Sequence, residues 1–180
     1  MANFKEIDIS ELKLNFYDMI AKDWLVLSAG DKAGYNSMTV SWAQVGSLWK
    51  DKKTAPFAGM PVATTYVRPQ RYTKKFVDEK EYFTLSHFGS GFRKELGFLG
   101  GKSGRDYKDK LAECGFHPYF TAESVGVEEA DVIFVCKKLY TYKMEESGFY
   151  NPETAKVNYP DKDFHQAYIG EIVRVLVREK

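Results

Sequence analysis

The sequence predicts a mainly β fold, an antiparallel β-barrel decorated with helical insertions. Three observations favour this class. Segments rich in β-branched and aromatic residues outnumber helical segments, most of them are joined by short turns, and the regular alternation of strands and helices found in doubly wound sheets is missing. The chain has 180 residues, of which 44% are hydrophobic and 16% aromatic. Such a chain can bury a sizeable core, so we expect one domain over residues 1–180.

The first half of the chain predicts several strands after an N-terminal arm or short helix within residues 1–20. The apolar run 24–29 predicts a buried strand. Further β-favouring runs cover residues 38–45, 62–67 and 82–86. Residues 72–78 predict a short helix, because Pro69 cannot extend the preceding strand and Thr73 can cap a helix.

The second half predicts helices, a hairpin and a closing strand. The segments are 93–99 and 107–114 for two helices, 124–127 with 131–142 for the hairpin, and 166–178 for the last strand. A glycine-rich turn at residues 100–104 separates the two helices. Residues 145–164 are polar and contain two prolines, so we expect an excursion loop there.

Composition excludes several classes of protein. Lysine plus arginine number 26 and aspartate plus glutamate 25, so the net charge is +1 and no basic excess would attract nucleic acid. Cys114 and Cys136 form no CxxC pair, and with three histidines they predict no metal site but two reduced, partly buried thiols. No signal peptide pattern opens the chain, and no stretch approaches the ~18 apolar residues of a membrane span. We therefore expect a cytoplasmic protein that binds neither membranes nor nucleic acid.

The glycine-rich turn matches a phosphate-binding loop only in part. Gly101-Lys102-Ser103 resembles the end of a Walker A motif, but Leu96 stands where that motif requires glycine. No G-x-G-x-x-G motif follows a predicted strand, which argues against a Rossmann-type dinucleotide site. The turn can still bind a ligand, because glycines let backbone N–H groups approach an acceptor and Lys102 and Ser103 can donate to phosphate. The alternative is a plain turn between helices.

Two arginines beside a proline predict a phosphate contact. Arg68 and Arg71 flank Pro69, whose ring fixes the backbone and holds both side chains in place. Arginine is well shaped for bidentate contact with phosphate, and Thr73 adds a hydroxyl. The alternative is a surface turn with salt-bridged arginines.

The strand that contains residues 36–42 has one face of short hydroxyl groups. Strand periodicity puts Ser37, Thr39 and Ser41 on one face, and it puts three larger side chains on the other. Hydroxyl groups along a barrel strand could bind the polar edge of a planar ring. The alternative is an edge strand with one hydrated face.

No pattern of catalytic residues is present. The sequence contains no nucleophile elbow, no HExxH motif and no spaced pair of carboxylates typical of acid–base catalysis. His87, His117 and His165 are scattered along the chain. We name no catalytic residue, and we keep His165 only as a candidate neighbour of a substrate pocket.

Taken together, five segments in order resemble the flavin reductase-like family of FMN-binding split-barrel proteins, in its flavoredoxin-like branch. These segments are Asn36-Ser37-Met38-Thr39-Val40-Ser41-Trp42, Val67-Arg68-Pro69-Gln70-Arg71-Tyr72-Thr73, Phe83-Thr84-Leu85-Ser86, Lys102-Ser103-Gly104-Arg105-Asp106, and residues 165–173. The resemblance implies a six-stranded split β-barrel with Greek-key character that forms a homodimer, with FMN in a groove near the subunit interface. It also implies hydride transfer from NADH or NADPH to the flavin, or electron carriage by bound FMN.

The resemblance implies a set of cofactor-binding residues. They are Asn36, Ser37, Met38, Thr39, Ser41, Trp42, Arg68, Pro69, Arg71, Tyr72, Thr73, Ser86, Lys102, Ser103, Gly104 and Asp106. Residues 50–61 are longer and more charged than this family implies, which leaves the nicotinamide donor and the electron acceptor open. The acceptor could be free flavin, a partner oxygenase, iron or another protein.

Two alternatives to a flavin reductase stay open from the sequence. The first is an FMN-carrying electron-transfer protein with little nicotinamide activity of its own. The second is a barrel that binds some other ligand. Both keep the predicted fold and differ from the reductase in their chemistry.

Overall fold

The computed structural model describes residues 2–50 and 59–179, and within them the chain is mainly β. The strands are β1 Phe4–Ile7, β2 Leu25–Asp31, β3 Gly34–Val40, β4 Ala43–Leu48, β5 Met60–Val67, β6 Tyr82–His87, β7 Pro118–Phe120, β8 Val125–Val127, β9 Val132–Lys143 and β10 Gln166–Arg178. The α-helices are α1 Phe16–Asp18, α2 Thr73–Glu79, α3 Arg93–Gly101 and α4 Pro152–Asn158. The predicted fold class is confirmed.

Eight of the strands form one antiparallel sheet. Its order is β3-β2-β6-β9-β10-β5-β4, and β1 pairs with β10 outside this path. The two longest strands, β9 and β10, pair along most of their length, with register shifts at Ile169/Gly170 and Ile172/Arg174. A side chain at Gly170 would lie 2.9 Å from Phe83 and from Cys136, so a glycine is required where these strands pack.

The main core lies between side chains of the central strands. It contains buried residues of β2, β3, β5, β6, β9 and β10, among them Leu27, Phe83, Phe134 and Tyr168. A second apolar cluster packs under α3 and includes Leu96, Leu99 and Leu111. These two clusters fix α3 against β3, and their packing positions the site described below.

The predicted strand over residues 38–45 is wrong as one element, because the chain changes partners there. β3 pairs with β2, whereas β4 pairs with β5. Ser41 and Trp42 lie between the two strands and are exposed. The main sheet has eight strands and not the six that the resemblance implies, and it includes β3 and β4 as separate strands as well as β1.

The predicted helix over residues 107–114 is also wrong. Only a 3-10 turn, Ala112–Cys114, forms in this segment. Tertiary contacts hold the preceding residues: the Tyr35 hydroxyl donates to Asp109 at 2.9 Å, and the Lys110 ammonium donates to carbonyl groups near the end of α3. These contacts override a weak helical preference.

The predicted hairpin between residues 124–127 and 131–142 has the wrong partners. β8 pairs with β7 in a separate two-stranded sheet, while β9 pairs with β6 and β10. Alternation of side chains identifies a strand but carries no information on which strand lies beside it.

The excursion loop expected at residues 145–164 contains helix α4. Asn151 caps this helix and Pro152 occupies its first turn, both favourable at a helix N-terminus. Ala155, Tyr159 and Phe164 form a small apolar cluster of their own. The N-terminal arm likewise contains more structure than expected, because β1 pairs with the end of β10.

Other sequence-based expectations have mixed outcomes. Cys114 and Cys136 are free thiols; Cys114 is partly buried as predicted, whereas Cys136 is completely buried in the main core. Most of the unusual loop at 50–61 lies outside the described residues. In the described part of the chain, no helix has the length and apolar character needed to cross a membrane.

Candidate functional site

A groove made of two adjoining cavities lies where β3, the β5–α2 connection and the loop after α3 meet. The first, here called the aromatic cavity, is lined by Trp42, Tyr66 and His165 among others and has a volume of about 140 Å³. The second, here called the cationic cavity, is lined by Arg71, Lys102, Arg105 and Lys110 among others and has a volume of about 260 Å³. Both are lined by Met38 and Arg71.

Most of the predicted cofactor-binding residues line this groove. In the aromatic cavity they are Met38, Thr39, Ser41, Trp42, Arg68 and Arg71, together with His165. In the cationic cavity they are Met38, Arg71, Tyr72, Thr73, Lys102, Ser103 and Gly104. The lining of the two cavities does not include Asn36, Ser37, Pro69, Ser86 or Asp106.

An aromatic pair forms one wall of the aromatic cavity. The rings of Trp42 and His165 lie 4.8 Å apart between centroids, at 37° to each other. The Nδ1 atom of His165 lies 2.8 Å from the hydroxyl of Tyr159. Burial, reinforced by the nearby positive charge of Arg68, lowers the pKa of His165 to about 4. The imidazole is therefore neutral near pH 7.

Arg68 already has partners within the protein. Its guanidinium donates to the carboxylate of Asp163 and to the Asn158 carbonyl at 2.7 Å. Hydrogen bonds from Gln70 and Arg68 lower the pKa of Asp163. Arg68 thus joins the end of β5 to the segment that contains α4, and a phosphate would compete with Asp163 for it.

The cationic cavity has a different charge pattern. Four cationic side chains line it, and its lining contains no carboxylate. The Arg71 guanidinium donates to the Gly100 carbonyl at 2.8 Å, and Arg105 lies over the ring of Tyr72 at 5.2 Å. Such a set of donors fits an anion such as phosphate.

Lys110 is a site residue that sequence reasoning missed. It is 4% exposed, and its ammonium donates to the carbonyl groups of Leu99 at 2.7 Å and Lys102 at 2.9 Å. Burial, with a smaller effect of Arg71, lowers its pKa to about 8. Lysines are rarely buried, and no motif around residue 110 signals this contact.

The loop after α3 approaches β3 closely at Gly104. A Cβ atom at Gly104 would lie 2.8 Å from the Tyr72 ring and would also clash with the Asn36 amide. The same Asn36 accepts a hydrogen bond from the Thr73 hydroxyl at 2.8 Å. The loop can close this end of the cavity only because residue 104 lacks a side chain.

The hydroxyl groups of β3 mostly bind the protein itself. The Ser37 and Ser28 hydroxyls lie 2.7 Å apart in the interior, and the Thr39 hydroxyl donates to the Leu96 carbonyl at 2.6 Å. Ser86 is also buried and accepts a hydrogen bond from the Val127 N–H. Ser41, beyond the end of β3, lines the aromatic cavity, while the contacts expected of the other three stay predictions.

Metal ligands are not gathered at this groove. Across residues 2–50 and 59–179, no group of three or more histidine, cysteine, aspartate or glutamate side chains could hold a metal ion. The groove therefore offers an aromatic wall, backbone groups and a cluster of cations.

The chain matches no protein-family model and no curated protein sequence. Solved structures do match. An FMN-binding domain of a flavin reductase-like enzyme from Shewanella baltica is 17% identical with a TM-score of 0.64, and the match covers 98% of this chain and 78% of that one. A flavoredoxin from Desulfovibrio vulgaris is 20% identical with a TM-score of 0.60, over 87% and 69% of the two chains.

An NADH:FAD oxidoreductase from Streptomyces globisporus is 12% identical with a TM-score of 0.60, over 87% of this chain and 77% of that one. The chain has the split-barrel fold of these flavin reductase-like proteins. In this split barrel the groove lies at the junction of β3, the β5–α2 connection and the α3 loop. At such low identity the likeness defines the fold alone, because function depends on the residues of the site.

Proposed function

We propose that this split-barrel protein binds FMN in the groove and accepts a hydride on it from NADH or NADPH. The observation that carries the proposal is that the two cavities share Met38 and Arg71 in their lining, so they lie side by side. An aromatic cavity suits a planar ring, and a cationic cavity suits an anionic tail. FMN combines both features in one molecule. Solved structures with this fold include FMN-binding and NADH-dependent proteins.

The residues that line the groove fit this cofactor. The donor set of the cationic cavity, with Arg71, Lys102 and Lys110, matches the charge of a phosphate. The aromatic cavity presents Trp42 and the backbone beyond the end of β3 to a ring. Arg68 would contribute positive charge to the groove, although Asp163 compensates much of it.

Bound FMN supplies the redox chemistry, since the flavin ring takes up a hydride from a nicotinamide. The chain's own residues hold the ring and its tail in position and limit access of water. Neutral His165 adds no charge beside the ring near pH 7. The groove cations would favour a negatively charged ligand. Chemistry of this kind requires no catalytic base among the protein's side chains.

A second candidate function is electron transfer by FMN without efficient nicotinamide oxidation. Its support is the similarity to the Desulfovibrio flavoredoxin, at 20% identity and a TM-score of 0.60. The same groove would bind the cofactor in both cases. The two functions differ in whether a nicotinamide can stack on the bound flavin.

Titration and rapid kinetics test both functions. The purified protein is titrated with FMN by calorimetry, and the complex is then mixed anaerobically with NADH or NADPH while the visible absorbance of the flavin is followed. Fast bleaching with either donor supports the reductase. Slow bleaching with both, together with tight FMN binding, supports the carrier. Failure to bind FMN would overturn the proposal.

The proposal includes a homodimer, which the family resemblance implies. An apolar surface next to the groove supports it. This surface, here called the aromatic outer face, contains the exposed residues Leu48, Trp49, Tyr140 and Tyr142. Tyr142 lies near Tyr66, which lines the aromatic cavity, and burial together with Tyr142 raises the pKa of the Tyr66 hydroxyl. Exposed apolar patches of this kind mark interaction sites.

A further inference from the structure

Lys110 is a buried cation without an acidic counter-ion in the described chain. Only 4% of the residue is exposed. In residues 2–50 and 59–179, no carboxylate forms an ion pair with the Lys110 ammonium. Burial is the main cause of the lowered pKa of Lys110. A buried charge that lacks an oppositely charged partner is unfavourable in general. A negatively charged group close to the Lys110 ammonium would therefore stabilise it.

The hydrogen bonds of Lys110 leave one donor for such a charge. An ammonium group has three N–H donors. Two of them go to the carbonyl groups of Leu99 and Lys102 at the end of α3. Because Lys110 also lines the cationic cavity, the third N–H is available to a group bound there.

The charged side chains around Lys110 are cations that repel its ammonium, and the one opposite effect is small. Arg71 faces it from the β5–α2 connection and lowers its pKa, while the thiol of Cys114, one turn further on, has a small opposite effect. Lys102 and Arg105 line the same cavity. Four cations around one cavity repel each other, and an anion at the centre would relieve this repulsion.

We propose that the cationic cavity is an anion site in which Lys110 binds a phosphate group as its counter-ion. The inference rests on the proposed FMN binding for the identity of the natural ligand, and it deepens that proposal. It makes Lys110 the residue by which the groove distinguishes a phosphorylated flavin from riboflavin. A phosphate dianion brings strong acceptor oxygens and the charge that the cavity lacks.

The anion site would be sensitive to pH. The pKa of Lys110 is lowered to about 8 in the free protein, so the ammonium loses its proton as the pH rises through this value. A bound phosphate favours the charged form and raises this pKa again. Phosphate binding near pH 8 therefore takes up protons, and the affinity for phosphate falls above pH 8.

The test compares three probes, FMN, riboflavin and inorganic phosphate, by calorimetry on the full chain. In Lys110→Met the dissociation constant of FMN at pH 7 should rise about tenfold or more, the typical effect of losing a charged hydrogen bond. The dissociation constant of riboflavin should not change. Lys108→Met is the matched control, because Lys108 is an exposed lysine two residues away that does not line the cationic cavity; it should leave both constants unchanged.

The pH profile of the wild-type protein provides a measurement that needs no variant. From pH 7 to pH 9 the dissociation constant of FMN should rise relative to that of riboflavin. Calorimetry at pH 8 in two buffers of different ionisation enthalpy should show proton uptake with FMN and none with riboflavin. These results would decide the matter even if Lys110→Met failed to fold.

Each outcome has a definite meaning. If Lys110→Met weakens both flavins equally, or leaves FMN binding intact, Lys110 is only a structural clamp for α3 and the inference is wrong. If neither flavin binds the wild-type protein but inorganic phosphate raises its melting temperature and not that of Lys110→Met, the anion site stands and the proposed flavin function falls. If phosphate has no effect on the wild-type protein either, both fall.

Discussion

At the scale of single residues, the protein itself already binds many polar groups of the groove. The hydroxyls of Thr39 and Thr73 have protein partners at 2.6 and 2.8 Å. Arg71 is also hydrogen-bonded, to the Gly100 carbonyl. Side chains fixed in this way keep their positions before any ligand arrives. A preorganised groove loses less entropy on binding than a flexible one.

His165 should make the stability of the protein depend on pH in the acidic range. Its pKa is lowered from 6.5 to about 4 in the folded state, so its stabilising contribution is complete above pH 6.5 and is lost as the pH falls to 4. In His165→Gln, the decrease in the free energy of unfolding between pH 6.5 and pH 4 should be smaller by roughly 2 kcal/mol. Urea denaturation at several pH values measures this difference.

His117 provides a control of opposite sign. Glu129 raises the pKa of this exposed histidine above 6.5, so its contribution is complete below pH 6.5 and is lost at higher pH. His117→Gln should therefore leave the slope between pH 6.5 and pH 4 unchanged. Equal slopes in the wild-type protein and His165→Gln would contradict the assignment of a neutral His165.

Gly104 and Gly97 should respond in opposite ways to the same substitution. Gly104→Ala introduces a methyl group 2.8 Å from the Tyr72 ring and should destabilise the fold by about 1–3 kcal/mol. Gly97 lies within α3, where a methyl group would have no neighbour within 4 Å, so Gly97→Ala should stabilise the fold by about 0.5–1 kcal/mol. Chemical denaturation measures both changes. A Gly104→Ala variant as stable as the wild-type protein would show that the loop adapts to a side chain at residue 104.

At the scale of elements, α4 and the loop around it depend on one ion pair. Arg68 at the end of β5 pairs with Asp163, and the two side chains are only 26% and 16% exposed. Arg68 also lies over the ring of Tyr159, a member of the small apolar cluster beneath α4. The pair therefore joins this segment to the sheet beside the aromatic cavity.

Asp163→Asn should loosen the segment at 145–164. Removing the charge leaves Arg68 without its carboxylate partner. The free energy of unfolding should fall by about 1–3 kcal/mol. Hydrogen exchange of the α4 amides should become faster, while exchange in β9 should stay slow.

A matched control is Glu153→Gln, which breaks the Glu153–Lys156 pair on the surface of α4. The side chains of Glu153 and Lys156 are both 68% exposed. Exposed ion pairs contribute little to stability, so the free energy of unfolding should change by no more than about 0.5 kcal/mol. If the two variants behave alike, the ion pair of Arg68 does not hold the segment.

At the scale of the whole molecule, the sheet presents an apolar surface to the outside. On the aromatic outer face, the rings of Trp49 and Tyr140 lie 6.0 Å apart and those of Tyr140 and Tyr142 lie 6.2 Å apart. Beside them, Met60, Val62 and Ile169 form a small cluster separate from the main core. These residues lie on β9, β10 and β5, or, in the case of Trp49, directly after β4, and the four strands are neighbours in the sheet.

Tyr140→Glu should convert the expected homodimer into a monomer. Tyr140 is 54% exposed, so a charge there leaves the folded monomer intact but would be buried in an interface at high cost. Sedimentation velocity at micromolar concentration measures the mass. Tyr17→Glu is the control, because Tyr17 is 72% exposed on α1. A wild-type protein that sediments as a monomer would end the proposal of a dimer.

The sequence alone predicted the fold class and much of the groove, for a local reason. Runs such as 62–67 and 166–178 can be recognised as strands without knowledge of their neighbours, because β-branched residues are enriched in strands. Motifs around Arg71 and Lys102 combine charge, glycine and proline within a few residues. Properties encoded over such short distances can be read directly from the chain.

Only the tertiary structure decided which groups face one another. It divided the strand at Ser41 and Trp42, paired β8 with β7, gave Arg68 an internal partner and buried Lys110 beneath α3. Each of these outcomes depends on residues far apart in the chain, because strand partners and counter-ions are set by packing and not by local preference. The sequence determined the kind of barrel and the chemical groups available to it, and long-range packing determined which of them line the groove.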